Sequence, residues 1–177
     1  FMLNDLLYWV RCQTNKLEIN LEIVSIKTIC EDLHKIYNGF INAKNISVKY
    51  NIDENSIVKI DKTILSIIIR NLFANAIKYT PQNETITFST LKTESQLKIS
   101  ITDTGEGMTA QKLSLIETSK IARSTPGTQN ELGHGLGLVT CFELARKINA
   151  KIAFEIAEEK GTVASLIIDL KQDSPAI

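Results

Sequence analysis

The chain has 177 residues, of which 44% are hydrophobic and 23% are charged, a balance that excludes a disordered protein and suits one domain with its own core. Lys and Arg together number 20, as do Asp and Glu, so the chain has no excess positive charge with which to bind nucleic acid. Its three cysteines, Cys12, Cys30 and Cys141, are widely spaced. This pattern fits neither a disulfide framework nor a zinc site and indicates a reducing compartment.

The longest apolar stretch, residues 64–73, is interrupted by polar residues and is too short to cross a bilayer. The first residues carry no signal-like pattern. We therefore expect a cytoplasmic fragment of a longer protein, without membrane contact of its own and with any membrane segment elsewhere.

The first part of the chain predicts two helices followed by two strands. Residues 1–14 carry apolar side chains at helical spacing and predict the end of a helix that enters from upstream. Residues 25–43 repeat a helical period, with Ser25 as the predicted N-cap. Residues 46–52 and 56–60 alternate between apolar and polar side chains and predict strands.

The longest predicted helix covers residues 61–80, with Asp61 as its cap and Pro81 as its terminator. Residues 85–91 and 96–102 alternate on either side of a polar turn, which is typical of a β-hairpin.

Residues 136–148 predict a fourth helix, and residues 152–156 with 163–170 predict a second hairpin. This order predicts an α/β two-layer sandwich in which helices pack on one face of a single mixed, mostly antiparallel sheet.

The first patch with chemical potential lies on the 61–80 helix. At roughly 100° per residue, Asn71, Asn75 and Lys78 fall within an arc of about 60°, and Ile64 and Ile67 lie on the same face one or two turns earlier. A buried helix that turns polar at one spot needs a partner there. Amide oxygens suit Mg²⁺, and an ammonium suits phosphate. The same pattern also fits an exposed face with ordinary polar side chains.

The second patch is Asp103-Thr-Gly-Glu-Gly-Met108, directly after a predicted strand. Gly105 and Gly107 permit a sharp bend and close approach to a flat ligand. The carboxylate of Asp103 can accept a hydrogen bond from an exocyclic amino group, as in adenine. An ordinary turn at the end of a strand explains the same residues.

The third patch is Gly133-His-Gly-Leu-Gly-Leu138, at the start of the 136–148 helix. Exposed backbone N–H groups and the positive end of a helix dipole favour an anion such as a triphosphate. The patch is neither a P-loop nor a dinucleotide fingerprint. A flexible linker before the helix remains an alternative explanation.

Six of the eight glycines lie between Gly105 and Gly137, and the long polar stretch 109–132 between the two Gly-rich patches predicts a mobile lid.

In this order, the three patches resemble the catalytic domains of sensor histidine kinases. These belong to the Bergerat-fold ATPases, together with type II topoisomerases, mismatch-repair ATPases and heat-shock chaperones. The sequence from Asn71 to Pro81 favours the kinase branch, since the other branches typically carry a glutamate where Asn71 stands. The resemblance extends to Gly161-Thr162. Residues 6–11 resemble the end of the dimerisation helix of hybrid sensor kinases, so we expect residues 1–15 to end that helix and residues 16–177 to form the catalytic domain.

The resemblance implies ATP and Mg²⁺ as cofactors. Asn75 is the implied Mg²⁺ ligand, with Asn71 beside it supporting the metal and phosphates, and Lys78 contacts phosphate; Asn71 and Lys78 are therefore the candidate catalytic residues. Tyr79 is implied to lie against the nucleotide, and Asp103 to bind the adenine amino group.

The resemblance also implies that Thr162 lines the adenine end, and that Lys120 and Arg123 of the lid reach the γ-phosphate. The remaining candidate nucleotide contacts come from the two Gly-rich patches: Gly105, Gly107, Met108, Gly133, His134, Gly135, Leu136, Gly137 and Leu138.

The implied activity is transfer of the γ-phosphoryl group to a histidine. The family's acceptor is followed by an acidic residue and a proline, a pattern that His34 and His134 do not match. We therefore expect the acceptor on a dimerisation domain of the same protein, upstream of this fragment, and a response regulator or receiver domain as a further partner. Two alternatives stay open: an ATP hydrolase of the same fold, and a nucleotide-binding or docking module without turnover.

Overall fold

The structure, a computed structural model, describes residues 18–109, 111, 113–114 and 136–170, with only the backbone of Leu136. Several predictions lie outside these residues: the helix at 1–14, the boundary at 15, most of the lid with Lys120 and Arg123, and residues Gly133, His134 and Gly135.

The described residues form three helices and seven strands. The helices are α1 (Ile26–Ala43), α2 (Lys62–Tyr79) and α3 (Leu136–Lys147). The strands are β1 (Leu21–Ser25), β2 (Ser47–Asn51), β3 (Ile57–Asp61), β4 (Thr85–Lys92), β5 (Gln96–Asp103), β6 (Ala150–Ile156) and β7 (Thr162–Asp169).

Both predicted caps are confirmed. The Ser25 hydroxyl accepts a 3.5 Å bond from Thr28 N at the start of α1. The Asp61 carboxylate accepts a 2.9 Å bond from Ile64 N at the start of α2. Each bond satisfies one of the backbone N–H groups that a helix leaves unpaired in its first turn.

Five strands form one sheet in the order β2-β4-β5-β7-β6, in which only the β2–β4 pair is parallel. The predicted α/β architecture and both hairpins are therefore confirmed. In the register of β5 and β7, Asp103 stands directly opposite Thr162. This pairing brings the end of the second patch to the start of the last strand.

The prediction of a single sheet was wrong. β1, which the sequence analysis did not identify, pairs with β3 in a separate two-stranded sheet. Val24 and Val58 fill its buried face. Its other face is exposed but carries an apolar side chain, Ile23, which is 80% exposed. The sequence of β1 therefore lacks the alternation of apolar and polar residues that marks a half-buried strand.

α2 packs against α1, α3 and β5. A helix in this position must be apolar on nearly all sides, and Ile64, Leu65, Ile68 and Ile69 are at most 1% exposed. The ring centroids of Phe73 on α2 and Phe88 on β4 lie 4.8 Å apart.

None of the helices in the described part of the chain has the length and apolar character that a membrane span requires.

Candidate functional site

The polar residues of the first patch interrupt the buried surface of α2. Asn71, Asn75 and Lys78 are each partly exposed, whereas Ile64 and Ile67 on the same helix face are buried. We call this partly exposed stretch of the helix face, from Asn71 to Tyr79, the opening.

Asn71 faces the start of α3. Its Nδ2 donates a 2.8 Å bond to the carbonyl of Ile67, one turn earlier, which fixes the orientation of the amide. A Cβ added to Gly137 would lie 2.7 Å from Asn71 Oδ1, closer than real contacts allow. Gly137 thus lets the first turn of α3 approach the Asn71 amide, so the first and third patches meet.

The other end of α2 meets the second patch. A Cβ added to Gly105 would collide with the Tyr79 carbonyl oxygen and lie 3.1 Å from the carbonyl carbon. The two contacts, at Asn71 and at Tyr79, are eight residues apart, or about 12 Å along the helix axis. Asn75 and Lys78 lie between them.

Asp103 is held at this end by backbone donors. It is 7% exposed, and its Oδ1 accepts a 2.9 Å bond from Gly105 N. Burial raises the pKa of the Asp103 carboxyl, while hydrogen bonds from the Gly105 and Thr162 backbones oppose that rise. These bonds leave a buried carboxyl group in a fixed orientation at the rim of the opening.

Gly161 packs directly against the backbone of Asp103 and Gly105. Its φ is +102°, and an added Cβ would collide with the Asp103 carbonyl oxygen and lie 3.0 Å from Gly105 N. Gly107 has a φ of +77° and packs against Gly161, where an added Cβ would lie 2.9 Å from the carbonyl oxygen. Three glycines therefore allow backbone to pack directly on backbone beside Asp103.

The structure also describes Lys78, Met108, Leu138 and the backbone of Leu136. Lys78 Nζ lies 5.0 Å from the centroid of the Tyr79 ring. Met108 and Leu138 are partly buried against the core, and Leu136 begins α3.

Residues 60–172 match the family described as Histidine kinase-, DNA gyrase B-, and HSP90-like ATPase. The chain belongs to this ATPase family. The fold and the resemblance drawn from the three patches are thereby confirmed.

Similar proteins include the adaptive-response sensory kinase SasA of Synechocystis, 26% identical over 91% of this chain and 42% of that protein. Sporulation kinase C of Bacillus subtilis is 30% identical over 86% of this chain and 33% of that protein. The chain thus spans less than half the length of these curated relatives.

Among solved structures, the catalytic domain of the histidine kinase ThkA superposes with a TM-score of 0.72 at 20% identity, covering 89% of this chain and 99% of that domain. A second structure holds ThkA in complex with the response regulator protein TrrA, with a TM-score of 0.69 at 18% identity, covering 95% of this chain and 48% of that chain. These likenesses support the ATPase-family fold.

The donor set of the opening fits Mg²⁺ bound jointly with a ligand. Asn71 Nδ2 is committed to the Ile67 carbonyl, and its carbonyl oxygen, a hard neutral donor, faces the start of α3 at Gly137. Among the described residues, no group of three or more His, Cys, Asp or Glu side chains could hold a metal. Mg²⁺ commonly takes only one or two protein oxygens and completes its shell with water and substrate phosphates.

A second layer of residues around Asp103 was not predicted from the sequence. Thr104 Oγ1 donates a 2.6 Å bond to Glu84 Oε2, and Lys160 Nζ lies 2.9 Å from Glu84 Oε1. The Thr104 bond, and after it Lys160, hold the pKa of Glu84 below its usual value. Neither the spacing nor the residue types in the sequence predict these contacts of Glu84, since Glu84 and Lys160 are separated by 76 positions.

Proposed function

We propose that this domain binds ATP together with Mg²⁺ and, within a longer two-component sensor kinase, transfers the γ-phosphoryl group to a histidine. One observation carries the proposal: α2 contacts the start of α3 at Asn71 and the loop after β5 at Tyr79, with Asn75 and Lys78 between the two contacts. The three patches thus border one opening.

Adenine is proposed to bind at the Asp103 end. The backbone N–H groups of Gly105 and Thr162 hold the carboxyl group, so it can accept a hydrogen bond from the exocyclic amino group without reorganising. The glycines beside it allow close approach of a flat ring. Thr162, 6% exposed, lines this end, and Tyr79 and Met108 border the ring.

The phosphates are proposed to lie along the Asn71 end. Asn75 ligates Mg²⁺, Asn71 supports it, and Lys78 neutralises phosphate oxygens. When bound, Mg²⁺ neutralises charge that develops on the phosphates. The α3 N-terminus and its Gly-rich approach, residues 133–138, supply backbone donors.

Transfer itself needs little covalent chemistry from this domain. In phosphoryl transfer the protein mainly positions the reactants and neutralises charge, and the imidazole of the acceptor histidine is the nucleophile. Asn71 supplies an amide where a hydrolase of this family would need a carboxylate to activate water. This feature favours transfer to a histidine over hydrolysis.

The partners are proposals as well. The acceptor is assigned to a dimerisation domain of the same protein, with residues 1–15 completing its last helix and residues 16–177 forming the catalytic domain. Lys120 and Arg123 of the lid are proposed to reach the γ-phosphate. The downstream partner is a response regulator or receiver domain, as in the ThkA complex. The domain is proposed to act in the cytoplasm, as part of a membrane-bound sensor.

Two assays test the proposal. Titration calorimetry should show Mg²⁺-dependent binding of ATP that the Asp103→Asn substitution weakens. When a separately produced dimerisation domain is added with ATP, acid-labile phosphate should accumulate on that domain. Rapid release of inorganic phosphate without labelling indicates a hydrolase instead, and binding with neither product indicates a module without turnover.

A further inference from the structure

Lys44, which follows α1, is a buried lysine with no assigned role. It is 4% exposed, and lysines are almost never buried to this degree unless they are paired. Its Nζ lies 2.9 Å from the carbonyl oxygen of Ile77, 3.0 Å from that of Lys78 and 3.4 Å from that of Thr80. One ammonium group therefore donates to three backbone carbonyls at the end of α2.

These bonds complete the C-terminus of the helix. The last four carbonyls of an α-helix have no partner within the helix, and a cation there interacts favourably with the helix dipole. The Ala76 carbonyl accepts from the backbone N–H and the hydroxyl of Thr80, at 2.9 and 2.6 Å. The Lys44 ammonium donates to the carbonyls of Ile77 and Lys78. The Tyr79 carbonyl is the one that packs against Gly105.

The backbone of Lys44 is tied to the same region. Its carbonyl accepts a 3.0 Å bond from Asn83 N, and Asn45 Nδ2 donates a 2.7 Å bond to Asn83 Oδ1. Glu84 follows Asn83 in the chain, and its carboxylate accepts a hydrogen bond from Thr104. The loop after α1 thus braces both the end of α2 and the segment that supports the Asp103 loop.

We propose that Lys44 is a positioning residue for the nucleotide site. Its ammonium fixes the turn at residues 77–80 so that Lys78 and Tyr79 keep their places and the Tyr79 carbonyl supports Gly105 beside Asp103. Lys44 acts through these residues and does not touch the ligand. This inference rests on the proposed nucleotide site.

Lys44→Met tests the role, because methionine has a similar length and no donor. The dissociation constant for Mg-ADP, measured by calorimetry on protein shown by circular dichroism to be folded, should rise on the order of tenfold, as for other residues that hold ligand-contacting groups in place. The amide NMR signals of Tyr79 and Gly105 should also shift. A lower unfolding temperature with unchanged affinity and unchanged signals would overturn the proposal.

Lys92→Met is the matched control. Lys92 Nζ also donates to two backbone carbonyls, those of Asn55 at 3.3 Å and Ile57 at 3.1 Å, but Lys92 is exposed and lies away from Asp103. The Lys92→Met variant should therefore bind Mg-ADP with the affinity of the wild type. If Lys44→Met does not fold, Lys44→Gln takes its place. This neutral side chain keeps two donors, its dissociation constant should rise about threefold or more, and an unchanged value would overturn the role.

The outcomes distinguish the role of Lys44 from the proposed binding of nucleotide. If the wild type binds no Mg-ADP, or if Asp103→Asn binds it as tightly as the wild type does, the proposed nucleotide site fails. If Asp103→Asn weakens binding and the Lys44 variants do not, the site stands and only the role of Lys44 is lost.

Discussion

Replacement of Gly161 by alanine should destabilise the protein through the backbone crossing beside Asp103. The φ of +102° at Gly161 is one that a residue with a side chain rarely adopts. The added methyl group would also collide with the Asp103 carbonyl oxygen and lie 2.7 Å from its carbon. Both neighbours are backbone atoms, so neither can move without shifting β5 or the loop that follows it.

The two effects add. A residue forced into a sparsely populated backbone region costs about 1–3 kcal/mol, and overpacking that shifts backbone costs a further ~1–3 kcal/mol. We therefore expect Gly161→Ala to lower the free energy of unfolding by about 3 kcal/mol or more, a large part of the 5–15 kcal/mol typical of a domain. Nucleotide affinity should fall too, since the displaced backbone carries Asp103.

Gly39→Ala is the matched control. Gly39 is an exposed residue within α1, and an added Cβ would have no heavy atom within 4 Å. Alanine favours a helix over glycine by about 0.5–1 kcal/mol, so this variant should be slightly more stable than the wild type. Urea unfolding followed by circular dichroism measures both variants. If the free energy of unfolding of Gly161→Ala lies within about 0.5 kcal/mol of the wild-type value, the backbone at this position tolerates a side chain, contrary to the prediction.

Three further substitutions test the site. Asn75→Asp should weaken Mg-ATP binding in calorimetry because it adds negative charge beside the phosphates, and unchanged affinity would contradict its role as a metal ligand. Wild-type affinity for ADP should fall as the pH drops through the raised pKa of Asp103, since protonation removes the negative charge that makes the carboxylate a strong acceptor for the adenine amino group. Asp103→Asn should bind weakly with no such pH dependence, and parallel pH profiles would count against this role. Glu84→Gln loses the ion pair with Lys160 but keeps an acceptor for Thr104, so its affinity deficit should shrink as salt is added, and a salt-independent deficit would show that the pair is not responsible.

The regular elements were predictable because burial imposes a period on the sequence. α2 is buried on nearly all sides and carries a cap at Asp61, and both hairpins alternate on either side of a polar turn. β1 was not predictable in the same way, because one face of its two-stranded sheet is open and bears Ile23. Hydrophobic residues on both faces remove the alternation that marks a strand.

The residues that touch across the site could be named from motifs, but their contacts could not. Gly105 and Gly137 stand out by composition, whereas their packing against Tyr79 and Asn71 depends on how α2 lies in the fold. No pattern in the sequence distinguishes Lys44 from the other lysines. Its burial follows from the meeting of the α1 and α2 ends, a tertiary feature with no local pattern.

A crystal structure of the chain with Mg²⁺ and a non-hydrolysable ATP analogue would show directly where the nucleotide and the metal bind. We predict the adenine amino group within hydrogen-bonding distance of the Asp103 carboxylate, and the metal and phosphates beside Asn71, Asn75 and Lys78. An analogue bound elsewhere, or bound in this opening with its phosphates at Asp103, would contradict the proposed site.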